Sequence, residues 1–167
     1  MTWVNADGLT VRFGNEQAAV AKTGVVDTAG ELQQLVVLIN GVDVPSTDAP
    51  ISIYTGFPQN AVIVNAELYV TTAFAGTNAT LDIGVWSDDG DGTYTVVDKD
   101  GLFAQVATTA LDTLNGADDY QVGAGALVGT RPAAVAGGRD FLISASYNTA
   151  AFTAGVATMV LTYRKTA

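Results

Sequence analysis

The stretch Ala66-Glu67-Leu68-Tyr69-Val70-Thr71-Thr72-Ala73-Phe74-Ala75-Gly76-Thr77-Asn78-Ala79-Thr80-Leu81-Asp82-Ile83-Gly84-Val85 decides the fold. In its first half Ala66, Leu68 and Val70 alternate with Glu67, Tyr69 and Thr71, the two-residue period of a strand with one apolar face. In its second half Leu81, Ile83 and Val85 are the inward set, and Asp82 is expected to face water. Between the halves, Phe74-Ala75-Gly76-Thr77-Asn78 carries the glycine and asparagine chemistry of a hairpin turn. The expectation is a pair of long antiparallel strands.

Working outward, Phe57-Pro58-Gln59-Asn60-Ala61 reads as a corner leading into the first of these strands, and Ile51-Ser52-Ile53-Tyr54 as a short strand before it. The prolines of Val44-Pro45-Ser46-Thr47-Asp48-Ala49-Pro50 mark a loop. From Leu32 to Val44 the chain is apolar and β-branched, and Leu35 to Ile39 is apolar at every position. A strand that is apolar on both faces needs a cover on both, one of which can be a partner subunit. Leu9-Thr10-Val11-Arg12-Phe13 alternates as a strand, whereas Asn15 to Gly30 is polar and Ala/Gly-rich, so residues 1–30 are expected to include an extended arm or irregular connection.

Downstream, Trp86 to Thr93 is an Asp/Gly turn before the strand Tyr94-Thr95-Val96-Val97. Leu102, Phe103, Val106, Ala110, Leu111 and Leu114 recur near helical spacing, so Gly101 to Leu114 is the expected site of a helical turn. Asn115 to Gly138 is rich in Gly and Ala, with a short strand expected at Ala126-Leu127-Val128. Two closing strands present Phe141, Ile143, Ala145 and Tyr147 on one face, and Met159, Leu161 and Tyr163 on another. The segments around Phe74-Ala75-Gly76 and Phe152-Thr153-Ala154-Gly155 echo each other, which reads as two aromatic plugs at turns.

Composition agrees with strands. Val and Thr occur 21 times each, while Asp outnumbers Glu 14 to 3 and Lys occurs three times, so residues that cover exposed helices are scarce. The expectation is an all-β fold, a two-sheet β-sandwich of the jelly-roll kind with at most a short helix, forming one domain over residues 1–167. Few lysines remain to protect sheet edges, which favours a homo-oligomer, a trimer being one option.

The chain has no cysteine and no histidine, which excludes disulfides, thiol nucleophiles, Ser-His-Asp triads and Cys/His zinc sites. With 17 acidic against seven basic residues the formal charge is −10, a poor match for nucleic acid or an anionic membrane. The start of the sequence has neither a basic region nor an apolar run, so no secretion signal is expected and synthesis in a cytoplasm is.

Five local patterns invite a functional reading, and each has a plainer one. Asp88, Asp89, Asp91, Asp98 and Asp100 have the donor chemistry for calcium, but Thr93 and Tyr94 break the EF-hand pattern, and a solvated turn is the simpler account. Glu67, with Glu16 and Glu31, supplies the only glutamates for glycoside hydrolysis and sits on the polar face of a strand. Trp3, Trp86, Tyr54, Tyr69 and Tyr94 could stack on a sugar, or line core rims and subunit contacts. Gly123-Ala124-Gly125-Ala126-Leu127-Val128-Gly129 lacks the Lys-Ser/Thr ending of a phosphate loop, and the Asn78-Ala79-Thr80 sequon has no secretion signal to give it meaning. No catalytic, cofactor-binding or metal-ligating residue is assigned, and no cofactor is expected.

The opening Trp3-Val4-Asn5-Ala6-Asp7-Gly8-Leu9-Thr10-Val11-Arg12-Phe13-Gly14, with Glu16 and Gly24, resembles the start of a group of tailed-bacteriophage virion structural proteins. The likeness continues in order through the corner Pro58-Gln59-Asn60-Ala61, the strand Leu81-Asp82-Ile83-Gly84-Val85 and the triplet Asp100-Gly101-Leu102. It closes with Gly125-Ala126-Leu127-Val128-Gly129-Thr130 and Thr149-Ala150-Ala151-Phe152-Thr153-Ala154-Gly155. The resemblance implies a non-enzymatic capsid cement or decoration protein on the outside of a phage head, with the major capsid protein as partner. A tail, collar or baseplate accessory protein and a carbohydrate-binding attachment module are the alternatives.

Overall fold

Because the apolar positions alternate, each long strand offers a greasy face, and the chain buries those faces by stacking two antiparallel sheets. The computed structural model describes residues 2–4, 10–13, 24–27, 32–47, 49–50, 56–108 and 120–166. The strands are β1 (Thr2–Val4), β2 (Thr10–Phe13), β3 (Gly24–Asp27), β4 (Leu32–Asn40), β5 (Ala49–Pro50), β6 (Phe57–Pro58), β7 (Ala61–Ala75), β8 (Thr80–Asp88), β9 (Tyr94–Ala107), β10 (Tyr120–Val122), β11 (Asp140–Asn148) and β12 (Ala154–Lys165). A seven-stranded sheet has the order β1-β2-β3-β4-β12-β7-β10, and a five-stranded sheet contains β5-β11-β8-β9, with β6 also pairing β11. The all-β, two-sheet sandwich expected from the alternation is the observed architecture. A 3-10 turn, Gly41–Asp43, follows β4.

Between the sheets lie Leu35, Val37 and Ile39 of β4, Ala66 and Leu68 of β7, and Met159 and Leu161 of β12. From the other sheet come Leu81, Ile83 and Val85 of β8 and Phe141, Ile143 and Ala145 of β11. Aromatic rings close both ends. Phe57 packs against Phe141 and Tyr163, with ring centroids 5.3 and 5.5 Å apart. At the far end Phe74 meets Phe152 edge to face at 5.2 Å.

The Phe74 end corrects one expectation. β7 and β8 do not pair as a hairpin; β7 lies in the seven-stranded sheet and β8 in the five-stranded one. The intervening linker arches from sheet to sheet, and the β11–β12 linker arches back beside it. The Thr153 N–H donates to the Ala75 carbonyl at 2.8 Å, tying the two arches together. Gly155, at φ +133, leaves the room that the Phe74 ring fills; a Cβ there would overlap the ring. Both phenylalanines therefore plug the sandwich end, as their echoing contexts imply.

Other corrections follow from register. Within the expected helical turn, Gly101 to Ala107 continues β9, Thr108 is helical, and the rest, from Thr109 onward, lies outside the described residues. Four residues, Lys99 to Leu102, stand opposite Gly84, between the pairs Val85–Asp98 and Ile83–Phe103. That wide bulge breaks the two-residue period and brings Leu102, Phe103 and Val106 to a helix-like spacing. Asp82, expected to face water, is 1% exposed. Ala126 to Gly129 is a turn and not a strand. Gly24–Asp27, inside the stretch read as irregular, is a strand pairing both β2 and β4, and Ala49–Pro50, read as loop, pairs β11. The strand expected at Ile51–Tyr54 falls outside the described residues.

Candidate functional site

The acidic turn between β8 and β9 folds around its own backbone. Asp88 accepts from the Gly90 N–H at 2.7 Å, Asp89 from the Thr93 N–H at 3.1 Å, and Asp91 from the same N–H at 2.9 Å. Such bonds make an Asx-type turn. The Thr93 hydroxyl and N–H hold the Asp91 carboxyl below the usual carboxylate range. Arg139 lies across the turn so closely that a Cβ on Gly90 would overlap its guanidinium, and the Arg139 N–H donates to the Asp88 carbonyl at 2.6 Å. A built-in cation thus covers this negative turn. Among the described residues no group of three or more acidic side chains is placed to hold a metal ion.

Asp140 stands directly across from Asp88 in the β11–β8 ladder. Its residue is open to solvent overall, yet partial desolvation of the carboxyl, reinforced by the Asp88 charge and opposed by Lys165, raises its pKa.

Asp82 does structural work in the five-stranded sheet. It accepts the Gln105 N–H at 2.5 Å and a short hydrogen bond from the Asn148 side-chain amide. Gln105 has φ +47, so the carboxylate pins an unusual backbone conformation where β9 turns along the sheet. Nothing in the sequence marks this role except that Asp82 sits in an otherwise apolar strand.

The Gly-rich segment proves to be a strut. The N–H groups of Gly125 and Leu127 donate to the carbonyls of Leu102 and Gly101, at 3.1 and 2.8 Å. The Gly129 N–H donates to the Ile63 carbonyl at 2.9 Å, and the Gly123 N–H to that of Ala66 at 2.7 Å. The segment thereby joins the β9 bulge to β7 across the two sheets. A Cβ on Gly125 would overlap the Gly101 backbone, which is why glycine stands there.

The aromatic candidates are dispersed. Trp86 and Tyr94 approach to 6.1 Å between ring centroids on the five-stranded sheet. Tyr69 is on the seven-stranded sheet, where its hydroxyl donates to Glu67 at 2.9 Å. Trp3 lies in β1 on that same sheet, and Tyr54 is outside the described residues. The three whose side chains are described, Trp86, Tyr94 and Tyr69, are divided between the two sheets and form no single sugar-stacking platform. Glu67 is held by Tyr69 and neighbours Val160 in the ladder, with no second carboxylate opposite it there.

One surface emerges that the candidate residues did not single out. β4 is expected to need a cover on both faces, one of which can be a partner subunit; within this chain Leu32 is 56% and Leu38 43% exposed, whereas Leu35, Val37 and Ile39 are wholly buried. Across the ladders Val36 lies beside Val160, and Leu38 beside Thr158 and then Tyr69. The outward described positions of β4, β12 and β7 carry just two charges, Glu67 and Arg164. The unbroken apolar run Leu35 to Ile39 was the sequence signal for this face.

No family model matches the sequence, and no curated protein does either. Solved structures do match. A chain of the capsid of Ralstonia phage GP4 superposes with a TM-score of 0.51 at 21% identity, over 84% of this chain and 88% of that one. At that identity the match establishes a shared fold. A chain of the cyanophage Pam1 capsid asymmetric unit gives a TM-score of 0.48 at 14% identity over 91% and 94%. A chain from the acid-stable capsid of Helicobacter pylori bacteriophage KHP30 gives 0.36 at 13% over 80% and 93%. These two lie too low in TM-score to carry an argument.

Proposed function

We propose that this chain is a non-enzymatic structural component of a tailed-phage virion: a capsid cement protein that binds the major capsid protein on the outside of the head. The observation that carries the reading is the near full-length fold match to a chain of the GP4 capsid. The ordered motifs from Trp3 to Gly155 support it independently of the fold.

The physical role follows from the load. Packaged DNA presses the shell outward, and a clamp laid across neighbouring capsomers adds contact area that must be broken before the shell opens. A stable contact of this kind buries about 800 Å² on each side. The β1–β2 hairpin offers one means of attachment, since among the described residues β1 forms an outer edge of the seven-stranded sheet, with Thr2–Val4 paired on one side to Thr10–Arg12. An unpaired edge can accept a strand from a partner. A charge of −10 suits a surface that faces solvent and not packaged genome.

Adding the purified chain to heads that lack it tests the reading. Full-length protein is expected to sediment with the heads and raise their resistance to heat, and protein lacking residues 1–14 is expected to stay in the supernatant. Binding to tails and not to heads would favour the tail, collar or baseplate alternative.

A further inference from the structure

We infer that the outer face of the seven-stranded sheet, at β4, β12 and β7, is the surface on which a second copy of this chain docks. The inference concerns the isolated chain and stands or falls apart from the virion reading. A protein carrying −10 repels its own copies, so two copies approach most readily through a region with no net charge. This face is such a region, and it is apolar as well, with Leu32, Val36, Leu38 and Val160 at its centre and rim. By contrast Asp88, Asp89, Asp91 and Asp140 gather at the end of the five-stranded sheet, and a partner copy there would meet like charge.

The two charges of the face have the arrangement that a two-fold contact requires. The ladder row Gln34–Thr162–Asn65 lies midway between the row of Arg164 and the row shared by Val160 and Glu67. A two-fold axis running across the strands at Thr162 exchanges those flanking rows between copies. Each Arg164 then lies over the partner row that holds Glu67, offset sideways by one strand, about 4.8 Å, with the sheets about 10 Å apart. An extended arginine side chain spans that offset. The contact is self-complementary, as an isologous interface must be: residue i meets j, and j meets i. Tyr69 already hydrogen-bonds Glu67 and so holds the carboxylate on the face.

Sedimentation velocity of the full chain between about 1 and 100 μM tests the inference. The wild type is expected to form a dimer. Leu38→Asp is expected to be monomeric, and at concentrations where the wild type is itself monomeric the two are expected to melt at the same temperature, which separates lost docking from lost folding. Arg164→Glu and Glu67→Arg are each expected to weaken the dimer about tenfold, and the double exchange to restore it to within about threefold of wild type. A wild type that stays monomeric at the top concentration overturns the inference, as does a dimer indifferent to Leu38→Asp or a double exchange that fails to rescue. A monomeric wild type whose Leu38→Asp variant loses binding to heads would assign this face to the capsid, again overturning the second-copy docking while leaving the cement reading intact.

Discussion

Strands β4 and β8 exchange the roles their sequences suggest. β4, Leu32 to Asn40, is apolar on both faces through its middle, yet of its apolar residues Leu35, Val37 and Ile39 are wholly covered while Leu32 and Leu38 stand open. β8, Thr80 to Asp88, has an aspartate and a glycine where an outer face should be, yet Leu81 through Val85 are all buried. The difference lies in what sits above each strand. Over β8 the chain supplies its own lid, the β9 bulge, whose Asp98 and Lys99 backbone lies against Gly84. Over the outer side of β4, Leu32 and Leu38 remain accessible. Apolar sequence therefore marks where a cover is wanted, and the fold alone decides whether the chain or a partner provides it.

Filling the space beneath the β8 lid gives the largest expected effect. A Cβ on Gly84 would overlap the Asp98 carbonyl and Lys99 backbone, so Gly84→Val is expected to destabilise by about 4 kcal/mol or more in urea unfolding. Removing the buried carboxylate comes next. Asp82→Ala strands the Gln105 N–H and the Asn148 amide, and is expected to cost about 3 kcal/mol in the same assay. On the β4 side, Leu38→Asp should change the monomer's stability by no more than about 0.5 kcal/mol. Equal losses from Asp82→Ala and Leu38→Asp would erase the distinction between the two strands.

Asp140→Asn is the smallest expected change and reports on charge at the end of the five-stranded sheet. The folded-state pKa of Asp140 is raised, so the folded chain holds this proton more tightly than the unfolded one. The stability associated with that proton is present below the unfolded value of about 3.9 and is lost as pH rises through the raised folded value. Asp140→Asn should therefore raise the melting temperature slightly at neutral pH, with the gain vanishing in acid. A loss at neutral pH would mean that the Lys165 attraction outweighs desolvation and Asp88.

Much of the sandwich could be read from period-two alternation. Leu68 and Val70 of β7, Phe141, Ile143 and Ala145 of β11, and Met159, Leu161 and Tyr163 of β12 face the core as their spacing implies. Partnering was harder to read. Gly76 and Asn78 suit a tight reversal, but nothing local says whether a reversal stays in one sheet or crosses to the other, and here it crosses. Leu102, Phe103 and Val106 mimicked a helix because a bulge shifts the strand period. Asp82 was misplaced because burial of a carboxylate depends on two donors distant in sequence, Gln105 and Asn148. The open apolar face of β4 was half legible, in that its need for a partner could be read but its location on the seven-stranded sheet could not.

Reconstruction of particles purified from lysates that contain this chain bears most directly on the virion reading. It is expected to show the two-sheet sandwich in on the order of several hundred copies on the outer surface of the head, following the shell's symmetry. Particles that carry no copy, or only a single ring of them at the tail, would contradict it.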